Sequence, residues 1–300
     1  MYFATYEKDG VVAIGVLTSD RSSIIPLVAA ERQCLKTATL PETMLELLDQ
    51  GQSAVDTVGK LLERSADCPQ IPLADVKLLA PIPRPRKNIF CIGKNYVDHV
   101  LEFDKTKAKD AAVPRHPVIF SKPPTAVIGY EDLINSHDQV TRELDYEVEL
   151  AVVIGKRGTY ISRERAGDYI FGYTIINDVT ARDLQTAHMQ WFRGKGLDTF
   201  APMGPYLVHK NAVADAGNLP ISLKVNDEIR QNSNTSELIF KIPELIAGIS
   251  AGLTLEPGDI IATGTPAGVG MGFTPPRFLR KGDRLELSIG ELGVLRNTVG

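Results

Sequence analysis

Residues 144–155 read LDYEVELAVVIG. As a strand, the period of two places Glu147, Glu149, Ala151 and Val153 on one face and Tyr146, Val148, Leu150, Val152 and Ile154 on the other. Apart from the two glutamates, both faces are apolar. Two carboxylates about 7 Å apart on such a strand repel each other and lose hydration. A hard divalent cation such as Mg²⁺ or Mn²⁺ relieves both problems and leaves positions open for water or substrate. A strand end that is simply wet accounts for the same residues equally well.

Similar short apolar or alternating runs, bounded by Gly, Pro, Asn or Asp, surround this segment at 88–92, 118–120, 169–176, 206–209, 221–225, 260–263 and 285–289. Helical patterns interrupt them at 95–103, 179–192 and 243–253. Many strands with few helices, not in strict alternation, predict an α+β fold with a large β component. Upstream, Tyr2–Tyr6 and Val11–Leu17 flank an Asp9-Gly10 hairpin turn. A helix is expected from Pro41 to Gly51, and a second one carries Val55, Val58, Leu61 and Leu62. Residues 65–75 read as a linker, and Pro81, Pro83 and Pro85 exclude helix and central strand there. The expected organisation is a small α+β unit at 1–78 and a β-rich domain at 79–300.

Composition bounds the function. The chain has 300 residues, 43% of them hydrophobic, with 33 basic and 37 acidic side chains for a net charge of −4. These are ordinary globular values with no general basic field, so no nucleic-acid or anionic-lipid partner is expected. No apolar run approaches the roughly 20 residues of a membrane helix, and the N-terminus lacks a signal-peptide pattern. Cys34, Cys68 and Cys91 fit neither a disulfide framework nor a zinc pair, which points to a reducing, cytoplasmic setting.

Four further groups could carry chemistry. Asp178 ends the run Phe171–Ile176 and either caps the following helix or joins the two glutamates as a ligand. His99 and Glu102 stand at i and i+3 on one helix face, the spacing in the first place of a surface ion pair and also of a base held by its carboxylate. Lys122 and Lys195 lie in loops, where lysines are usually solvated. Thr263–Gly270, TGTPAGVG, is neither a Walker A loop nor a dinucleotide fingerprint; it reads as a loop whose N–H groups and Thr265 hydroxyl close over a carboxylate.

The motifs IFCIGKNYVDHVLE, PVIFSKPPTAVIG, LDYEVELAVVIG, FGYTIINDVTARDLQ, GKGLDTFAPMGP, LEPGDIIATGTPAGVG and FLRKGDRLELSI occur in the order found in one family. From about residue 80 to 300 the chain resembles the fumarylacetoacetate hydrolase family. The resemblance implies a mixed β-sandwich or β-roll core, a homodimer, and Mg²⁺ or Mn²⁺ held by Glu147, Glu149 and Asp178. It also implies a His99–Glu102 pair on a lid helix, followed by a mobile polar loop at 104–117, with Lys122 and Lys195 at the active site. Gln185 would contact the α-keto acid end of the substrate. Long members carry a comparable small N-terminal unit. Tyr96, Asp145, Arg182, His188 and Arg193 fall within or beside the motifs without an assigned role.

An anionic α-keto acid suits such a cavity, because its carboxylate and keto oxygen can chelate a dication and polarising the keto oxygen favours an enolate. The expected reaction is metal-assisted cleavage of a C–C bond one carbon beyond a pyruvoyl group, as an oxaloacetate decarboxylase or an acylpyruvate hydrolase. Proton movement between carbons, as in a 2-hydroxyhepta-2,4-diene-1,7-dioate isomerase, is the alternative. A non-enzymatic metabolite-binding or scaffold protein is the remaining one.

Overall fold

In a computed structural model of the chain, residues 1–103 and 113–300 are described. Most of the Lys-rich loop expected at 104–117 lies outside them. The longer strands are β1 (Tyr2–Lys8), β2 (Val11–Leu17), β3 (Ser23–Pro26), β4 (Ile89–Gly93), β5 (Val118–Lys122), β6 (Val148–Ile154) and β7 (Ile170–Asn177). They continue as β8 (Ala201–His209), β9 (Pro220–Val225), β10 (Glu228–Asn234), β11 (Ile260–Ala262), β12 (Arg284–Ile289) and β13 (Val294–Val299). The main helices are α1 (Met44–Gln50), α2 (Gln52–Glu63), α3 (Val97–Phe103), α4 (Arg182–Ala187), α5 (Phe192–Lys195) and α6 (Ile242–Ser250). The architecture is α+β and rich in strand.

The large sheet runs β3-β2-β1-β8-β7-β6-β11-β4-β5, with Ile71–Pro72 added outside β3. A second sheet runs β10-β9-β12-β13 and ends on Leu133–Ile134. Its inner strands pack against β6 and β7. This explains why β6 is buried along its whole length and, Glu149 aside, apolar on both faces.

Residues 1–78 share the large sheet with the rest, since β1 pairs antiparallel with β8 at Tyr2↔Val208 and Phe3↔Leu207. The expected hairpin forms, with Asp9 and Gly10 both at positive φ. The first helix starts later than Pro41: Thr43 caps it in a reciprocal box with Glu46.

Candidate active site

Strand register builds the centre of the site. Val148 on β6 faces Asn177 on β7, and Asp178 N–H donates to Glu147 O at 2.9 Å. The ends of two neighbouring strands therefore meet. Carboxylate oxygens of Glu147, Glu149 and Asp178 lie within 4.8 Å of one another, and all three residues are buried. Asp178 is not a helix cap. Thr180–Ala181 pairs with Leu144–Asp145, so α4 begins only at Arg182, with Ala181 at its N-cap. The single helix expected over 179–192 is accordingly replaced by that bridge and the short α4, with α5 separate.

Both lysines are buried here rather than solvated. Lys122 Nζ donates to Asp178 Oδ1 at 2.5 Å and to Val179 O at 2.9 Å. Lys195 Nζ, at the end of α5, donates to Glu147 at 2.8 Å and to Asp178 at 2.7 Å. Burial alone would discharge Lys195, but Asp178 and Glu147 outweigh it and hold the ammonium above the usual lysine range. For Lys122 burial wins over the attraction of Asp178, and its pKa is lowered. Burial also acts against the Glu147 carboxylate, yet Lys195 and Arg182 beside it keep its pKa below the usual value.

Glu149 differs. Burial, then Asp178 and Glu147, push its pKa well above the ordinary range. Its hydrogen-bond partner among the described residues is Gly264 N–H, at 2.8 Å. A buried carboxylate facing two others with so little compensation fits a dication, and the all-oxygen donor set suits Mg²⁺ or Mn²⁺.

His99 and Glu102 lie on α3, with Nδ1 3.0 Å from Glu102 Oε2. The other Glu102 oxygen accepts Gly268 N–H at 2.6 Å. Gly268 has φ +106°, and a Cβ there would stand 1.9 Å from Arg230 O, so the close approach requires glycine. His99, Glu147, Glu149, Gln185, Lys195 and Thr265 line one cavity of about 400 Å³. Glu102 joins it through His99, and Asp178 and Lys122 through hydrogen bonds leading from Lys195. Gln185 accepts from Arg182 Nη1 at 3.1 Å. The Thr265 hydroxyl donates its hydrogen to Val148 O at 2.9 Å.

Three buried residues complete the frame. Arg182 donates through Nε to Asp145 at 2.8 Å and places Nη2 2.7 Å from Glu147. Asp145 also accepts Gly270 N–H at 2.7 Å and Met271 N–H at 3.0 Å. Gln231 accepts Val148 N–H at 3.0 Å and donates to Thr265 Oγ1 at 2.7 Å and Pro266 O at 2.8 Å. The sequence placed Asp145 and Arg182 near the site without roles; Gln231 carried no signal, because EIRQNSN neither alternates nor matches a motif.

The family model for the fumarylacetoacetate (FAA) hydrolase C-terminal region matches residues 88–300. The chain belongs to the fumarylacetoacetate hydrolase family. It is therefore an enzyme with that family's α+β fold. Oxaloacetate tautomerase YisK of Bacillus subtilis is 48% identical over 306 residues, covering 100% of both chains. The solved fumarylacetoacetate hydrolase from psychrophilic Exiguobacterium antarcticum has a TM-score of 0.83 at 38% identity, covering 100% of this chain and 99% of that one. Maleylpyruvate hydrolase from Sphingobium sp. SYK-6, solved with manganese(II) and pyruvate, has a TM-score of 0.77 at 32% identity, covering 100% and 98%. No helix among the described residues is long and apolar enough to cross a membrane.

Proposed function

We propose that this enzyme moves a proton at C3 of oxaloacetate, the carbon next to the keto group, and so interconverts its keto and enol forms with the help of a divalent cation. The observation that carries the reading is the shared cavity: the His99 imidazole and the Glu147–Glu149 carboxylates line the same 400 Å³ space. The name of the full-length B. subtilis relative supports the substrate.

Mg²⁺ or Mn²⁺ held by Glu147, Glu149 and Asp178 would supply Lewis acidity to the keto oxygen and lower the energy of the enolate. The chain's own residues do the rest. Glu102 accepts from His99 Nδ1, which fixes the tautomer with Nε2 as the basic nitrogen. His99 takes the C3 proton and returns it, to oxygen or to carbon. Lys195 stays cationic between Glu147 and Asp178 and offsets the negative charge around the substrate carboxylate. Gln185 and Thr265 shape the cavity wall that orients the α-keto acid. The family resemblance adds a homodimer to this proposal.

Cleavage is the second reading, supported by the maleylpyruvate hydrolase neighbour solved with manganese and pyruvate. The same type of enolate leaves when CO₂ departs from oxaloacetate, or when water activated by His99–Glu102 attacks the distal carbonyl of an acylpyruvate. Proton NMR in D₂O with Mg²⁺ separates the two readings. Deuterium entering C3 much faster than pyruvate appears, both measured above the uncatalysed rate, is the expected result. Pyruvate released as fast as exchange makes the enzyme a decarboxylase, and acceleration of neither contradicts both enolisation and decarboxylation of oxaloacetate.

A further inference from the structure

Among the described residues, three cationic side chains, Arg182, Lys195 and Lys94, line the cavity. The first two are committed to carboxylates: Arg182 to Asp145 and Glu147, Lys195 to Glu147 and Asp178. Lys94 has no carboxylate partner among the described residues, and it is exposed at the cavity wall. Its Nζ lies 6.0 Å from the ring centre of Trp191, another wall residue.

The backbone at Lys94 is held in an unfavourable conformation. Its φ is +58°, in the left-handed region that a lysine seldom adopts. The residues on both sides are closely held. Gly93 lets the indole of Trp191 lie against the chain, where a Cβ would fall 2.4 Å from Cζ3. The Asn95 side chain donates to Thr263 O at 2.7 Å and Phe240 O at 3.1 Å, and accepts Phe240 N–H at 2.7 Å. The packing at Gly93 and the hydrogen bonds of Asn95 anchor the backbone of Lys94 at the cavity wall.

We infer that Lys94 is a specificity residue whose ammonium binds the second carboxylate of a dicarboxylic α-keto acid, while the first carboxylate and the keto oxygen lie toward Glu147, Glu149 and Asp178. This rests on the enolisation reading above and assigns the residue that selects a dianionic substrate. An apolar wall of Trp191 and Phe120, packed edge to face at 5.4 Å, lines the same space. Among the described residues this leaves Lys94 as the counter-charge not committed to a carboxylate, available to the far end of the substrate.

The test compares oxaloacetate with its 4-ethyl ester, which has the same skeleton without the distal charge. Enolisation of both is measured with the wild type, Lys94→Gln and Lys94→Arg in Mg²⁺. We expect Lys94→Gln to lower the preference for oxaloacetate, as a ratio of kcat/KM values, by about 10- to 100-fold, the worth of one charge-assisted hydrogen bond. The change should sit mainly in KM, and Lys94→Arg should retain most of the preference. A ratio within twofold of wild type in Lys94→Gln overturns the assignment while leaving the enolisation reading intact. Failure of the wild type to act on either compound overturns that reading, and the assignment falls with it.

Discussion

Asp145 accepts hydrogen bonds on both carboxylate oxygens, from Tyr146 N–H and Gly270 N–H on Oδ1 and from Met271 N–H and Arg182 Nε–H on Oδ2. Through Arg182 it reaches Glu147, and through the two loop amides it fixes the segment that carries Thr265 and Gly268. Asp145→Asn puts a donor where an acceptor is needed and leaves the buried Arg182 with less negative charge around it. We expect kcat/KM for oxaloacetate to fall about 10- to 100-fold, the usual cost of losing a group that orients metal ligands. Steady-state kinetics beside a melting curve checks this, and activity within twofold of wild type contradicts it. The sequence could show Asp145 only as a motif residue without a role. Its decisive partner, Gly270 N–H, lies 125 residues away and carries no side-chain signature. Glu147 and Glu149 stood out by their two-residue spacing on an apolar strand, which left a wet strand end equally open until the motif order added the family resemblance.

Among the elements, strands with clean alternation or long apolar runs were readable, and those carrying polar residues inward were not. Glu228–Asn234 forms β10 although its sequence is EIRQNSN; the buried member is Gln231, which serves the loop at Thr265. In β13 the alternation Leu295, Asn297, Val299 is interrupted by a buried asparagine that donates to Gly129 O and Asp132 O. The helix expected at 179–192 fails because Thr180 and Ala181 are drawn into pairing with Asp145 and Leu144. The seam between β1 and β8 makes its own prediction. His209, at the end of β8, sits edge-on to the Phe171 ring. Burial first, then the Met1 ammonium and Lys210, lower its pKa from 6.5 to about 4. Between pH 6.5 and 4 the unfolded chain therefore takes up a proton that the folded chain refuses. This contribution to stability is present in full above pH 6.5 and is lost as the pH falls toward about 4. The melting temperature of His209→Gln should fall less steeply than that of wild type across this window, and parallel curves contradict the assignment.

For the molecule as a whole, the two sheets meet where the chemistry is placed. The large sheet supplies Glu147, Glu149 and Asp178 from β6 and the end of β7, and Lys122 from β5. The second sheet supplies Gln231, which ties the glycine-rich loop to β6. The helix α3 completes the cavity with His99, held by Glu102 against that same loop. The fold class and domain type followed from motif order and strand frequency, whereas the convergence of loop, helix and two sheets on one cavity needed the tertiary structure. The measurement closest to the central claim is the rate of enol-to-keto conversion of oxaloacetate, followed by ultraviolet absorbance. It is made with Mg²⁺, Mn²⁺ or excess EDTA, on wild type and on His99→Ala. We predict catalysis that EDTA abolishes and either metal restores, and a loss of about 10²- to 10⁴-fold in His99→Ala with metal binding retained. An undiminished rate in EDTA, or a wild-type rate without His99, would contradict the account.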